Sequence, residues 1–192
     1  MCKTDPIRNQ NDIRRLKEYF LEIDQPRNYA MVTLAMNTSL RISDILKLTW
    51  NDVFDFQTHQ YKEHISLIEQ KTQKRTRMIL NQEAQHALDL LKEHLKEIFP
   101  KDYIFSRCND RNHPICRSHA YKIIKKAGET LHIDGTISCH SLRKTFGYHA
   151  WKMGVQPALI MSIYNHSSIE ITKRYLSIDQ DDKDEVFYRI NL

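Results

Sequence analysis

His166 and Tyr175 stand nine residues apart in the stretch YNHSSIEITKRYLSID, with Lys173 and Arg174 directly before the tyrosine. Upstream, Arg41 is followed by Asp44, and Lys71 heads KTQKRTR, in which four of seven residues are basic. His140 and Arg143 share the tetrapeptide HSLR. Each has a plain reading when taken singly. Arg41 and Asp44 suit a surface i,i+3 ion pair, Lys71 a solvated turn, His140 a helix cap, and Tyr175 a core aromatic. Together the types ask for one chemistry. A tyrosine hydroxyl is a poor nucleophile toward carbonyls in water, but it can attack a phosphodiester and form a phosphotyrosyl link. Two arginines could hold the nonbridging oxygens in forked geometry while charge builds on them. A lysine on a mobile hairpin could protonate the leaving oxygen, and histidines could manage the tyrosine proton. That chemistry needs no metal and no cofactor. The dense carboxylate cluster of the tail (Asp179, Asp181, Asp182, Asp184, Glu185) lacks the glycine and spacing of a calcium loop.

These groups must be positioned by a mainly helical scaffold. Asn11 and Asp12 can cap a first helix in which Ile13, Leu16, Phe20 and Ile23 recur at helical spacing. Pro26 opens a second helix, apolar from Tyr29 to Met36, and TSLRISDILKLTW gives a polar break and a short third helix with Ile42, Ile45, Leu46 and Leu48 inward. Then the period changes. HISLIEQ and TRMIL alternate and are β-branched, with KTQKR between them, which predicts a β-hairpin. Asn81 caps a long amphipathic helix through Ala84, Leu88, Leu91, Leu95 and Ile98, closed by Pro100. SRCNDRNHPICR is a predicted loop, followed by a basic helix from about Ser118 to Leu131 and helices around 141–152, 157–163 and 168–176. His140 and Arg143 at a helix start would add the backbone N–H groups and the dipole to a phosphate site. Trp151 and Met153 are expected in the core. No repeat or low-complexity linker divides the 192 residues, so residues 1–178 form one expected domain. Residues 179–192 form an acidic tail whose Val186, Phe187, Tyr188 and Ile190 suit a short helix docking in cis or on a neighbouring protomer.

The net charge of +5 hides an asymmetry: outside the tail, 27 basic groups face 19 acidic ones. A body of this kind suits a polyanion, nucleic acid first. Cys2, Cys108, Cys116 and Cys139 are too few and scattered for a disulfide framework and read as free thiols. With no long apolar run and no signal-like segment, a cytosolic protein without a membrane partner is expected.

The order Arg41, Lys71, His140-x-x-Arg143, His166 and Tyr175 resembles the catalytic set of the tyrosine recombinases, the phage integrase family. TSLRISDILKLTW is similar to that family's first arginine box and EQKTQKRTRMIL to its hairpin lysine. HSLRKTFG is similar to its His-x-x-Arg box, and NHSSIEITKRYL to its closing His-to-Tyr box. The resemblance spans roughly residues 10 to 178, and its strength lies in four boxes in one order. It implies the tyrosine recombinase catalytic-domain fold, mainly α with a small antiparallel hairpin. It also implies a site-specific DNA strand transferase that works through a 3′-phosphotyrosyl intermediate without metal or ATP. Tyr175 would be the nucleophile, Arg41 and Arg143 the phosphate ligands, Lys71 the general acid, His140 the general base and His166 a phosphate hydrogen-bond donor, with Asp44 orienting Arg41. Lys74 rivals Lys71, and QKT favours Lys71.

Two departures stand out. Where the family often has Leu-Gly-His, this chain has Tyr164-Asn165-His166, and Asn tolerates the left-handed backbone that Gly would adopt. The family's usual N-terminal core-binding domain is not in this sequence, which suggests a catalytic fragment or a short member like the fimbrial phase-variation invertases, with reduced affinity for a single site. The implied partner is double-stranded DNA carrying specific recombination sites, with a homotetramer on DNA and a monomer or weak oligomer without it. The implied setting is a bacterial or phage-derived protein at the nucleoid. Lys74, Arg75, Arg77, Arg117, Lys122, Lys125, Lys126 and Lys144 are candidate DNA contacts, with a solvated basic face as the plainer reading for the helix. Cys108, His113, Cys116 and His119 have a zinc-like spacing, but the family has no such site and no metal is expected. The alternatives are a type IB topoisomerase-like activity or a noncatalytic DNA-binding regulator that keeps the fold.

Overall fold

A computed structural model describes residues 4–190; Cys2 lies outside them. Among the described residues the order is α1 (Gln10–Glu22), α2 (Pro26–Thr38), α3 (Ile42–Ile45), α4 (Trp50–Val53), β1 (Phe54–Asp55), β2 (Gln60–Tyr61), β3 (His64–Ile68) and β4 (Arg75–Ile79). There follow α5 (Gln82–Leu95), β5 (Ser106–Arg107), β6 (Asp110–Pro114), α6 (Arg117–Thr130), α7 (Cys139–Lys152), α8 (Pro157–Tyr164), α9 (Ile169–Leu176) and α10 (Asp179–Arg189). The strands pair as three separate antiparallel hairpins, β1–β2, β3–β4 and β5–β6.

Helix α2 is the central post. Pro26 at its first turn presets φ and needs no hydrogen-bond acceptor for a missing N–H. Residues from Tyr29 to Met36 are buried, and the helix packs against α1, α5 and α7. Around it lies the main core, which includes Trp50, Leu88, Phe105 and Ile124. A smaller cluster of Tyr148, Ile160, Tyr164, Leu176 and Ile178 holds α7, α8 and α9 together. The chain ahead of α1 straps across α7: Ile7 is buried, its N–H donates to Thr145 Oγ1 at 2.9 Å, and its carbonyl lies 3.0 Å from His149 Nε2.

Several expected boundaries shift for identifiable reasons. The first helix is capped by Asn9, whose side chain accepts from the Asn11 N–H, so it starts before Asn11 and Asp12. Ile23 closes that helix and is exposed rather than inward. Asn81 caps α5 as expected, but Lys96 turns left-handed at φ 63°, so the helix ends at Leu95 and Ile98 reaches the core from the following turn. The predicted loop around 106–117 contains the β5–β6 hairpin, which an alternation test misses because Asp110–Pro114 carries no apolar stripe. Met153 is 82% exposed, not core, because α7 ends there before Gly154 turns the chain at φ 79°.

Candidate active site

The site forms where α3, the β3–β4 turn, the start of α7 and the α8–α9 corner meet. Ser39, left-handed at φ 53°, ends α2 and delivers Arg41 as the N-cap of α3. There the Arg41 backbone is extended (φ −72°, ψ 145°), so the helical i,i+3 relation expected with Asp44 does not apply. Asp44 instead accepts the Gln70 N–H at 3.0 Å through Oδ1, while its buried Oδ2 has no hydrogen-bond partner. Asp44 therefore pins the hairpin turn and does not orient Arg41.

Arg41 is held by Glu69, a residue with no role expected from the sequence. Arg41 Nη1 donates to Glu69 Oε2 at 2.7 Å. The same oxygen accepts the Thr72 hydroxyl at 2.5 Å and lies 3.5 Å from Asn165 Nδ2. Glu69 Oε1 is 3.9 Å from Arg143 Nη1. Glu69 is 2% exposed. Burial works against its charge, but the Thr72 hydroxyl, Arg41 and Arg143 together hold the carboxyl below its ordinary value. In the sequence it is one acidic residue at a strand end, indistinguishable from a solvated charge.

Ser138 and Ser141 form a reciprocal cap that starts α7 at Cys139 and fixes the HSLR turn. Arg143 points into the protein and is 3% exposed. Its Cζ stands 4.8 Å over the Tyr164 ring, and Tyr164 Oη donates to the Arg143 carbonyl at 2.5 Å. Nη1 and Nη2 of Arg143 are buried without a hydrogen-bond partner. A buried guanidinium fork in this state keeps unused donors for an acceptor. Gly147, one turn on, lets α9 approach: a Cβ there would lie 2.6 Å from Leu176 Cδ2 and 2.7 Å from Tyr164 Oη.

Helix α8 ends in a Schellman-type turn, with Asn165 left-handed at φ 57°, ψ 36°, and with the His166 N–H donating to the Met161 carbonyl at 3.0 Å. Asn does fill the position where Leu-Gly-His members carry Gly. His166 Nδ1 lies 3.1 Å from Thr172 Oγ1, whose hydroxyl donates to the Ser168 carbonyl at 3.1 Å. The Thr172 hydroxyl thereby fixes the position of the His166 ring. Burial, Arg143 and Arg41 lower the His166 pKa.

Tyr175 is half-buried. Its ring meets the His166 ring at 5.1 Å and 73°, and the Tyr164 ring at 5.5 Å. Burial raises the Tyr175 pKa, with Arg143 and Arg41 pulling against it. Lys173 turns away to lie 5.1 Å over Trp151, and Arg174 is exposed. Lys144, expected to face DNA, is buried instead. Its Nζ donates to the Thr4 carbonyl at 2.5 Å, reaches Ser177 Oγ at 3.5 Å and stands 5.3 Å from the Tyr175 ring centre. An apolar stem and inward position on α7 turn it into a tether between the N-terminal strap and the tyrosine helix.

His140 sits at the exposed edge of the cleft. Partial desolvation lowers its pKa, and Arg143, Lys144, Arg117 and Lys71 add to that. Lys71 is exposed on the turn and adds to the positive surroundings of His140, whereas the Lys74 carbonyl accepts the Glu69 N–H at 3.0 Å and closes the turn. Arg75 and Arg77 are exposed on β4, and Arg117, Lys122, Lys125 and Lys126 on α6, where Lys125 pairs with Glu129 at 3.6 Å. The zinc-like quartet does not assemble. His113 Nδ1 pairs with Asp110 at 2.7 Å and Cys116 with Ser118 at 3.1 Å, and no group of three potential metal ligands converges among the described residues.

Comparison with known proteins gives this geometry a context. The family model described as "Phage integrase family" matches residues 9–181. The "Probable integrase/recombinase YoeC" of Bacillus subtilis (strain 168) is 35% identical over 176 residues, covering 92% of this chain and 91% of YoeC. Other curated relatives are about twice as long as the region they share with this chain. The crystal structure of XerA recombinase superposes with a TM-score of 0.76 at 23% identity, covering 98% of this chain and 66% of that one. XerH site-specific recombinase, bound to palindromic difH substrate in a post-cleavage complex, superposes with a TM-score of 0.70 at 19% identity, covering 96% and 53%.

Proposed function

We propose, from the premise that this chain belongs to the phage integrase family of tyrosine recombinases, that it cuts and rejoins double-stranded DNA at specific sites through a covalent tyrosyl intermediate. The observation that carries the reading is the Arg143 guanidinium, buried, without a hydrogen-bond partner for Nη1 and Nη2, and placed with Arg41 beside Tyr175. Two cations in a desolvated cleft next to a hydroxyl suit a single bridging anion, and a DNA phosphate supplies it.

Arg41 and Arg143 bind the nonbridging oxygens of the scissile phosphate. Tyr175 Oη attacks phosphorus while His140, kept neutral by its lowered pKa, takes the phenolic proton. The P–O5′ bond breaks, Lys71 gives a proton to the departing 5′ oxygen, and a 3′-phosphotyrosyl link remains. His166 hydrogen-bonds the phosphate. Attack by an incoming 5′-hydroxyl reverses each step and reseals a strand. The hairpin turn (Lys74, Arg75, Arg77) and α6 (Arg117, Lys122, Lys125, Lys126) supply phosphate contacts around the site. Cleavage proceeds in a homotetramer on two DNA segments, with the apolar side chains of α10 docking on a neighbouring protomer. Val186, Phe187, Tyr188 and Ile190 are all exposed, which supports that reading. Among the described residues no helix is long and apolar enough to cross a membrane.

Suicide half-sites, selected by binding from a random duplex pool, test the reading in the presence of a metal chelator. The wild type is expected to form a protease-sensitive covalent DNA adduct, and Tyr175→Phe to bind but form none. Equal behaviour of the two would end the catalytic reading and leave a DNA-binding regulator. Relaxation of a plasmid without any selected site would replace it with a topoisomerase.

A further inference from the structure

Among the described residues, the Glu69 carboxylate is the one acidic group paired with Arg41 and Arg143. It touches side chains from α3, the lysine turn, α7 and the α8–α9 corner at one point. Through Oε2 it holds Arg41 at 2.7 Å and the Thr72 hydroxyl of the lysine turn at 2.5 Å, and it lies 3.5 Å from Asn165 of the α8–α9 corner. Through Oε1 it faces Arg143 at 3.9 Å. Lys71 is two residues along the chain from it, and the Gln70 N–H between them is fixed to Asp44.

We propose that Glu69 is a positioning residue for strand cleavage: it sets the directions of the Arg41 and Arg143 guanidinium groups and locks the Lys71 turn to them. The inference rests on the recombinase reading of the same site. Its physical basis is a charge count in a dry place. The buried Arg143 guanidinium and the partly buried one of Arg41 repel one another and are costly to desolvate unpaired, so without DNA one carboxylate helps to keep both in the cleft. A planar guanidinium can give one edge to a carboxylate and another to a phosphate. Arg41 uses only Nη1 on Glu69, and the Arg143 fork is uncommitted. The phosphate therefore adds to a prearranged pair and does not have to displace the glutamate. Because Thr72 shares the oxygen that holds Arg41, the turn that carries the general acid is in place only when the arginines are. Aiming the donors before the substrate arrives removes a reorganisation step from the reaction.

Glu69→Gln keeps the shape and removes the charge, and Glu69→Asp keeps the charge but draws it back. The positioning role predicts a split between binding and chemistry. With Glu69→Gln the single-turnover rate of adduct formation at saturating half-site falls at least about tenfold, while half-site affinity, measured in a Tyr175→Phe background, stays the same or tightens because a negative charge has left the cleft. Glu69→Asp recovers part of the rate. Tryptic cutting at Lys71, Lys74 and Arg75 speeds up in Glu69→Gln relative to the other exposed basic sites. A merely structural role would instead lower affinity and rate together as the protein loses its fold, and that outcome overturns the proposal, as does a full-rate Glu69→Gln. If the wild type itself makes no adduct, the recombinase reading fails separately, and unchanged tryptic cutting of the turn then disposes of the Glu69 lock as well.

Discussion

At His140 the fold sets a protonation state before any substrate arrives. Partial desolvation and the cations Arg143, Lys144, Arg117 and Lys71 bring its pKa below 6.5. A general base must be neutral to act, so if His140 is that base the rate of adduct formation is expected to fall as pH drops through its lowered pKa. Arg117→Ala removes one of the cations and is expected to move the acid limb to higher pH, measured as single-turnover rates between about pH 5 and 8. His166 is lowered in the same direction. For both histidines the folded protein resists protons that the unfolded chain accepts below pH 6.5, so their shared contribution to stability is present above that pH and lost as pH falls through the folded values. The six residues proposed to react were picked out in the sequence by their types and by an order that resembles the tyrosine recombinases. Glu69 and Thr172 were not. Each acts through a contact that exists only once the hairpin or α9 has folded against α3 or His166.

Between elements, Gly147 decides how close the tyrosine helix comes. Gly147→Ala would set a Cβ 2.6 Å from Leu176 and 2.7 Å from Tyr164, both fully buried, so neither can yield cheaply. Overpacking of this kind costs about 1–3 kcal/mol and is expected to appear as a lower denaturation midpoint, together with slower adduct formation as α9 is pushed off α7. Unfolding by urea, followed by circular dichroism, checks the first effect. Element types and order were largely readable because caps and apolar periods are local: Asn81 opens α5, Pro157 opens α8, and the hairpin register pairs Ile68 with Arg75. Ends proved harder. Nothing local marks Lys96 as left-handed, and the β5–β6 hairpin takes its strand form from its place beside the core: Tyr103 donates to the Arg111 carbonyl, and Ile115 to that of Phe105. Lys144 failed for the same reason, since a lysine next to a phosphate-binding arginine looks like another contact until the strap from Thr4 closes over it.

Over the whole molecule, the apolar side chains near the end of the chain stand clear of the body. Phe187 and Tyr188 are 79% and 89% exposed, so replacing both with serine is expected to leave thermal unfolding within about 0.5 kcal/mol of wild type. Under the proposed assembly the same double variant weakens association on DNA, which sedimentation reads directly; a lowered melting midpoint would instead show that the tail packs on its own body. The two hydrophobic clusters carry a different consequence. Arg41 and the hairpin are built on the large one, whereas Tyr175 and His166 ride on helices fastened by five buried side chains of the small one. Cooperative units of such unequal size open with unequal free energies. On the proposed chemistry, a partial opening of α8 and α9 would withdraw Tyr175 and leave Arg41 in place, at a free energy below that of unfolding the whole chain.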